Sequence, residues 1–267
     1  MASSKVTAPA IAAMKASGDK VVALTAYDFV TARVLDEAGV DLILVGDSAA
    51  MVMLGYENTL PVTLGAMLVL TAAVSRAGTR ALVVGDMPFM SYQASISDAV
   101  RSAGRLVKEG GAGAVKLEGG RKVVPKVEAV LEAGIPVMGH IGLTPQSIHE
   151  LGGYRVQGKD ERARERLIDD ARALGEAGCF AIVLEAMPAK LGREITESVS
   201  VPTIGIGAGP HCDGQVLVVN DIVGMVEGRV PRFVRRYGDA RAVIAEAARK
   251  YVSDVRSGSY PDESESY

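Results

Sequence analysis

The chain has 267 residues, of which 48% are hydrophobic, and its formal net charge at pH 7 is -3. This length suits one α/β barrel or two smaller domains, and the scattered lysines and arginines form no basic patch for a nucleic acid. The two cysteines lie far apart without metal-ligand spacing, and no apolar run reaches the length of a transmembrane helix. The first residues have neither a signal-peptide nor a transit-peptide pattern. We therefore expect a cytoplasmic protein with neither a membrane nor a nucleic-acid partner.

The first predicted elements are a flexible segment over 1–10, a short helix near Ile11 and a strand over 21–25. Asp28 can then cap a helix that ends at Ala38-Gly39. The apolar run over 41–46 predicts a buried parallel strand, which gives way at Asp47 and Ser48 to a loop. An isolated buried charge costs several kcal/mol, so Asp47 needs a partner, a hydrogen bond or a metal.

This arrangement of helix, glycine, buried strand and ionisable residue recurs along the chain. The later ionisable residues that end such units are Asp86, Glu118, His140 and Glu185. Strands near residues 21, 41, 81, 113, 136, 180, 202 and 222 alternate with helical patterns. The sequence therefore predicts a single (β/α)8 TIM barrel over 1–267, with an N-terminal helix and a C-terminal helical extension. A doubly wound sheet is the alternative, but no Gly-x-Gly-x-x-Gly follows the first strand. The acidic tail over 257–267 is expected to be flexible or docked on another subunit.

The ends of the predicted strands carry the candidate site, since barrel enzymes place their active sites there. Any one of these residues could be a structural ion pair or a helix cap, but the whole set favours a functional site. Oxygen ligands without a Cys/His cluster indicate Mg²⁺ or Mn²⁺. The best ligand candidates are Asp47, Asp86 and Glu118, some of which could act through bound water.

Lys116 and Glu118 lie two positions apart, so strand alternation points both side chains into the barrel. Lys116 could neutralise a substrate carboxylate, stabilise an enolate or simply pair with Glu118. Glu185 comes from a more distant strand and is a candidate general base. For His140, support of a carboxylate and proton transfer both stay open.

Two loops at the same predicted end of the barrel add weaker signals. Gly205-Ile-Gly207-Ala-Gly209 is similar to a phosphate-binding glycine loop, although glycines also permit close approach of any flat ligand. The segment over 142–159 has the length and the glycines of a lid, and an oligomer contact is its alternative role.

Several motifs, in this order along the chain, resemble ketopantoate hydroxymethyltransferase. They are Thr25-Ala-Tyr-Asp28, Leu44-Val-Gly-Asp47-Ser48, Thr59-Leu-Pro-Val-Thr63, Asp86-Met-Pro-Phe89, Val115-Lys-Leu-Glu118-Gly-Gly120, Gly139-His-Ile-Gly-Leu-Thr-Pro-Gln146-Ser, Gly152-Gly-Tyr-Arg-Val-Gln-Gly158 and Gly205-Ile-Gly-Ala-Gly209 with Asp213-Gly-Gln215. The resemblance runs from about residue 20 to the Tyr-Pro of the tail.

The resemblance implies transfer of a hydroxymethyl group from 5,10-methylenetetrahydrofolate to 3-methyl-2-oxobutanoate, which gives 2-dehydropantoate in pantothenate biosynthesis. By position, Asp47, Asp86 and Glu118 match the ligands of one Mg²⁺ in each subunit. Asp47, Ser48, Asp86 and Lys116 match the contacts to the 2-oxo acid, and Glu185 matches the proton acceptor. It also implies a homo-oligomer, typically a decamer. Because folate carries no phosphate, the glycine loop would then serve close packing.

Three other functions compete with this interpretation. The nearest is a metal-dependent lyase or phosphonomutase related to isocitrate lyase, but such enzymes often carry a loop cysteine that the segment over 142–159 lacks. A second uses Lys116 as a Schiff-base nucleophile. The third is a barrel that only binds a metabolite, which would not need Glu185 as a base.

Overall fold

The computed structural model describes residues 4–226, 228 and 230–267. Parallel strands close into a barrel in which each strand lies beside the next one in sequence. The strands are β1 (Val21–Thr25), β2 (Leu42–Val45), β3 (Leu82–Asp86), β4 (Ala114–Glu118), β5 (Val137–Gly142), β6 (Ala181–Glu185), β7 (Thr203–Ile206) and β8 (Gly214–Leu217). Because β1 also pairs with β8, the sheet closes on itself. The predicted (β/α)8 barrel is confirmed.

Helices alternate with these strands, as the apolar periodicity predicted. They are α1 (Ala8–Ser17), α2 (Phe29–Glu37), α3 (Ala49–Val52), α4 (Leu64–Ser75), α5 (Ile96–Lys108), α6 (Val124–Glu132), α7 (Ile148–Leu151), α8 (Glu161–Glu176) and α9 (Ala189–Ser198). Short 3-10 turns cover Arg121–Val123 and Pro145–Ser147. Asp28 caps α2 as predicted, since its carboxylate accepts the N–H of Thr31 at 2.8 Å. Within the described chain, no helix is both long and apolar enough to span a membrane.

The eighth strand lies earlier than predicted. We expected a strand near residue 222, but β8 is formed by Gly214–Leu217 and residues Val219–Ile222 form a helical turn, α10. Gly224 adopts a left-handed conformation, with a φ of 72°, which interrupts the apolar run that had suggested a strand. The short segment Gly214–Leu217 has little strand character alone, and it is held by parallel pairing to β1 and β7 on its two sides.

Side chains that point into the barrel change from apolar to polar along the strand direction. Leu82 and Val84 belong to the apolar interior, and the next residue on the same face of β3 is Asp86. On β4 the same face carries Ala114, then Lys116 and Glu118. The period of two therefore places an apolar floor under a polar mouth at the C-terminal end of the barrel.

The N-terminal helix α1 covers the floor. Ala8 and Ile11 are buried against interior side chains of the strands. Lys15 ties the same helix to the barrel, because its Nζ lies 2.9 Å from Asp213 Oδ2 and donates to the Thr196 carbonyl. We expected 1–10 to be flexible, and this stays a prediction, although residues 4–10 include contacts with the barrel. Burial of Ala8 and the hydrogen bond from Val6 N–H to the Arg80 carbonyl hold this segment on the barrel.

The chain forms two compact units, Met1–Val218 and Val219–Tyr267. The first contains the whole barrel. The second contains α10 (Val219–Ile222), α11 (Ala240–Ser257) and a 3-10 turn at Glu263–Glu265. The predicted C-terminal helical extension corresponds to α11, while a single domain over 1–267 and a flexible tail over 257–267 stay predictions.

Candidate active site

The C-terminal ends of the strands bring the predicted polar residues together. Asp86, Glu118 and Glu185 are the last residues of β3, β4 and β6, and Asp47 follows β2 by two positions. The carboxylates of Asp47, Asp86 and Glu118 are almost completely buried, whereas the Glu185 side chain is 16% exposed. Glu185 is therefore the most accessible carboxylate of the set.

Lys116 joins residues of three neighbouring strands. Its Nζ lies 2.8 Å from Asp86 Oδ1, 3.3 Å from Glu118 Oε1 and 3.3 Å from His140 Nδ1. Burial lowers the pKa of Lys116, but the charges of Asp86, Glu118 and Asp47 outweigh burial and raise it above its ordinary value. Lys116 is therefore a fixed ammonium, a form that cannot attack a carbonyl as a Schiff-base nucleophile does.

Glu118 and His140 form the next pair. Glu118 Oε1 lies 3.3 Å from His140 Nδ1. Burial raises the pKa of Glu118, but Lys116 and His140 outweigh it and hold the pKa at about 2. Burial and Lys116 lower the pKa of His140, and the Glu118 and Glu185 carboxylates outweigh them and raise it to about 9. At neutral pH the pair is thus an imidazolium beside a carboxylate.

His140 also contacts the candidate base. Its Nε2 lies 3.2 Å from Glu185 Oε2, without the alignment of a hydrogen bond. Ala186, the next residue, has a φ of 47°, which is unusual for a residue other than glycine. This turn directly follows the strand that positions Glu185. Strained backbone of this kind is concentrated at functional sites.

Asp47 and Asp86 lie side by side at the mouth. The backbone N–H of Asp47 donates to Asp86 Oδ2 at 3.0 Å. Burial raises the pKa of Asp47 well above its ordinary value, and the charges of Asp86 and Glu118 add to that rise. Burial also raises the pKa of Asp86, although Lys116 opposes it. The single ammonium therefore does not compensate all the negative charge on this side of the mouth.

These carboxylates fit a divalent cation that also binds water or substrate oxygens. They are hard oxygen donors in a buried site with excess negative charge, the chemistry that Mg²⁺ prefers. Among the described residues, however, no group of three or more His, Cys, Asp or Glu side chains is arranged to hold a metal by itself. Mg²⁺ binds through few carboxylates and completes its shell with water or substrate oxygens. The set of Asp47, Asp86 and Glu118 is consistent with that mode.

Ser48 lies beside the carboxylates but has a different partner. Its Oγ is 2.8 Å from the hydroxyl of Tyr27, a residue between β1 and α2. Ser48 is half-buried, while Asp47 before it is buried. The structure therefore brings Ser48 to the same mouth, where a ligand would meet a hydroxyl pair next to the carboxylates.

Two site residues were not assigned a role from the sequence. Gln146 follows β5 and is buried; its Nε2 donates to Asp47 Oδ2 at 2.9 Å, and its N–H donates to Glu118 Oε2 at 3.0 Å. Tyr92 follows β3, and its hydroxyl lies 2.8 Å from Gln146 Oε1 and accepts the N–H of Glu118. Gln146 belongs to a quoted motif, but uncharged loop residues carry no periodic signal that would point to a site.

The loop segment over 142–159 borders this mouth. It contains Gln146 and Tyr154, and the Tyr154 hydroxyl lies 3.5 Å from Met51 Sδ. Burial and the charges of Asp47, Glu185 and Glu118 raise the pKa of Tyr154, so its hydroxyl lies within electrostatic reach of the site. A lid function for the segment stays a prediction.

The glycine loop after β7 packs tightly against its neighbours. A Cβ on Gly209 would lie 2.4 Å from the Cβ of Ala189, at the start of α9. A Cβ on Gly205 would lie 3.0 Å from Cys212 Sγ and from the Gln215 amide nitrogen. These contacts explain the glycines by close packing, without an anion.

The fold and the site together define a (β/α)8-barrel enzyme with carboxylates, an ammonium and an imidazole at its mouth. Solved structures show the same fold. The barrel is similar to 2,3-dimethylmalate lyase, a PEP mutase/isocitrate lyase superfamily member, with a TM-score of 0.61 at 16% identity, covering 97% of this chain and 91% of that one. Phosphonopyruvate hydrolase in complex with oxalate and Mg²⁺ gives a TM-score of 0.63 at 14% identity, covering 97% and 92%.

Sequence comparison identifies the family. The sequence model of ketopantoate hydroxymethyltransferase matches residues 5–263. The chain is 58% identical over 254 residues to the 3-methyl-2-oxobutanoate hydroxymethyltransferase of Geobacter metallireducens, covering 95% of each protein. It is 57% identical over 263 residues to that of Trichlorobacter lovleyi, covering 98% of each. The chain belongs to the ketopantoate hydroxymethyltransferase family, a family of transferase enzymes.

Proposed function

We propose that this enzyme transfers a hydroxymethyl group from 5,10-methylenetetrahydrofolate to 3-methyl-2-oxobutanoate and forms 2-dehydropantoate for pantothenate biosynthesis. Its relatives are named for hydroxymethyl transfer to 3-methyl-2-oxobutanoate, which supports the acceptor and the group transferred. The observation that carries the proposal is the placement of Glu185, an accessible carboxylate, beside buried carboxylates and a fixed ammonium. Such a mouth can hold a small 2-oxo acid and take a proton from it.

Asp47, Asp86 and Glu118 would hold one Mg²⁺ in each subunit. When bound, the metal would act as a Lewis acid that polarises the oxygens of the 2-oxo acid. Burial, with the neighbouring carboxylates adding to it, raises the pKa of Asp47 and Asp86 in the protein alone, and a cation bound here would favour their ionised forms.

Lys116, Ser48 and the aspartates would position the 2-oxo acid. The Lys116 ammonium offers a positive charge next to Asp86, and its raised pKa keeps that charge at neutral pH. The Ser48 hydroxyl, paired with Tyr27, offers a donor for a substrate oxygen. These groups would hold the acid so that its C3–H bond faces Glu185.

Glu185 would act as the general base. Its carboxylate would remove the proton from C3, and the resulting carbanion would bond to the one-carbon unit of the folate. The two bonds from that one-carbon unit to the folate nitrogens would break, water would supply the new hydroxyl, and tetrahydrofolate would leave. The His140 imidazolium, 3.2 Å from Glu185 Oε2, would stabilise the carboxylate that is ready to accept the proton. We assign His140 to this supporting role rather than to proton transfer.

The test is exchange of the C3 proton of 3-methyl-2-oxobutanoate in D₂O, followed by NMR. Wild-type protein with Mg²⁺ is expected to exchange it without folate, and EDTA is expected to stop the exchange. Glu185→Gln should slow exchange roughly 10²–10⁴-fold, the usual contribution of a general base. Glu128→Gln, the same change at an exposed position of α6, is the matched control and should exchange normally. Unchanged exchange in Glu185→Gln would overturn the assignment.

We also propose a homo-oligomer, a decamer as the family resemblance implies, that works in the cytoplasm. Sedimentation equilibrium of the purified protein tests the subunit count. A monomer at micromolar concentration would contradict it.

A further inference from the structure

We infer that Gln146 is a positioning residue that sets the geometry of Asp47 and Glu118 for the cation, an inference that rests on the metal site of the proposed function. Gln146 hydrogen bonds to both of these carboxylates, which come from the ends of β2 and β4. Its side-chain Nε2 reaches Asp47 Oδ2 at 2.9 Å, and its backbone N–H reaches Glu118 Oε2 at 3.0 Å.

The orientation of the Gln146 amide is fixed by its four partners. Its Oε1 accepts from the Tyr92 hydroxyl at 2.8 Å and from Gln93 Nε2 at 3.0 Å. Its Nε2 donates to Asp47 Oδ2 and to the Met87 carbonyl, each at 2.9 Å. A flipped amide would point its oxygen at two acceptors, the Asp47 carboxylate and the Met87 carbonyl, so the observed orientation is strongly preferred. A buried amide with every bond satisfied is a rigid support.

The same support reaches the third carboxylate. Asp47 N–H donates to Asp86 Oδ2, so the backbone of residue 47 joins Asp86 to the group that Gln146 holds. Partners that orient metal ligands change metal affinity about 10–100-fold when they are removed. Gln146 therefore has the position from which one side chain can control the whole carboxylate set.

The first test measures Mn²⁺ binding by electron paramagnetic resonance, without substrate, in wild type and Gln146→Met. Methionine keeps the volume and the backbone N–H to Glu118 but removes the donor to Asp47. We expect the dissociation constant to rise about tenfold or more, at a temperature well below the unfolding midpoint of both proteins. Gln215→Met, the same change at an exposed glutamine of β8, should leave the constant within about twofold of wild type.

Tyr92→Phe gives a second test that does not depend on the folding of Gln146→Met. It removes a hydroxyl that holds Gln146 Oε1, so weaker Mn²⁺ binding is expected here also. Equal dissociation constants in wild type, Gln146→Met and Tyr92→Phe would overturn the inference, and so would a wild type that binds no Mn²⁺. The Mn²⁺ titration contains no substrate, so its result does not depend on the reaction. If the wild type binds Mn²⁺ but does not exchange the C3 proton, the proposed reaction is overturned and the inference about Gln146 is not.

Discussion

At the scale of single residues, the site is a charge arrangement whose positions were predictable and whose contacts were not. The spacing of Lys116 and Glu118 predicted that both side chains face the barrel interior, and their mutual contact confirms this. The stronger partner of Lys116 is Asp86, 30 positions away on the neighbouring strand, because the parallel register puts Asp86 beside Lys116. Sequence periodicity gives the face of a strand, but not which residues become neighbours across the register.

Replacement of Lys116 by methionine should destabilise the metal-free protein. The change leaves the buried Asp86 without its cation, and breaking a buried ion pair in this way costs about 3–5 kcal/mol. Urea unfolding in EDTA measures the loss. Lys122→Met is the control, because its exposed pair with Glu150 should contribute less than about 1 kcal/mol. Equal losses in both variants would contradict the role of Lys116 as the central cation.

His140 predicts a specific pH dependence of stability in metal-free protein. Its folded pKa of about 9 lies above the ordinary value of 6.5, so folding favours the protonated form. The resulting stabilisation is complete below pH 6.5 and is lost as the pH rises through 9, with a total of at most about 3 kcal/mol.

His140→Gln should therefore lose less stability than wild type over that window, as measured by urea unfolding in EDTA at successive pH values. His149→Gln, at an exposed position, should keep the wild-type profile. Parallel profiles of wild type and His140→Gln would show that the imidazolium does not stabilise the fold.

At the scale of elements, the strands buried on both faces were predictable and the closing strand was not. β2 and β3 come from apolar runs that lead to Asp47 and Asp86, and the structure has both strands where the sequence placed them. β8 is short and contains Gln215, and it depends on its two neighbours for pairing. A segment stabilised by tertiary pairing rather than by its own pattern gives no local signal.

A cavity under helix α1 should lower the stability of the fold without changing Mn²⁺ binding at the site. Ile11 is completely buried against the floor of the barrel, at the opposite end from the site. Ile11→Ala should lower the free energy of unfolding by about 2–5 kcal/mol, because it leaves a cavity there. Ile96→Ala, at a half-exposed position at the start of α5, should cost less than about 1 kcal/mol. Both variants should bind Mn²⁺ as wild type does, and weaker binding by Ile11→Ala would contradict this separation.

At the scale of the molecule, closure of the barrel assembles groups that are remote in sequence. Gln146 and Asp47 are 99 positions apart and lie on connections that follow different strands. The barrel fold and most strand ends were predictable, since strands alternated with helices and five of them led to an ionisable residue. The loop side chains that orient the carboxylates were not, because a loop has no period and its path depends on the finished barrel.

The charge of the assembled mouth predicts how cations and protons compete for it. Burial and neighbouring carboxylates place the folded pKa of Asp47 well above its ordinary value of 3.8. Between pH 3.8 and the raised pKa of folded Asp47, the folded state binds more protons than the unfolded state. Ionisation of Asp47 therefore destabilises the fold, and this destabilisation grows as the pH rises through that range. A divalent cation binds the ionised carboxylate, so it should offset this destabilisation. Its stabilising effect on the fold should therefore be larger at higher pH.

We therefore expect Mn²⁺ to raise the thermal midpoint more at about pH 8 than at about pH 5.5. At a concentration 100 times the dissociation constant the gain is about 2.7 kcal/mol. Thermal unfolding with Mn²⁺ or with EDTA measures the difference at each pH. Asp47→Asn should remove most of it, while Asp169→Asn, an exposed carboxylate on α8, should not. An effect of Mn²⁺ that is equal at the two pH values, or larger at the lower one, would contradict competition between protons and the cation for these carboxylates.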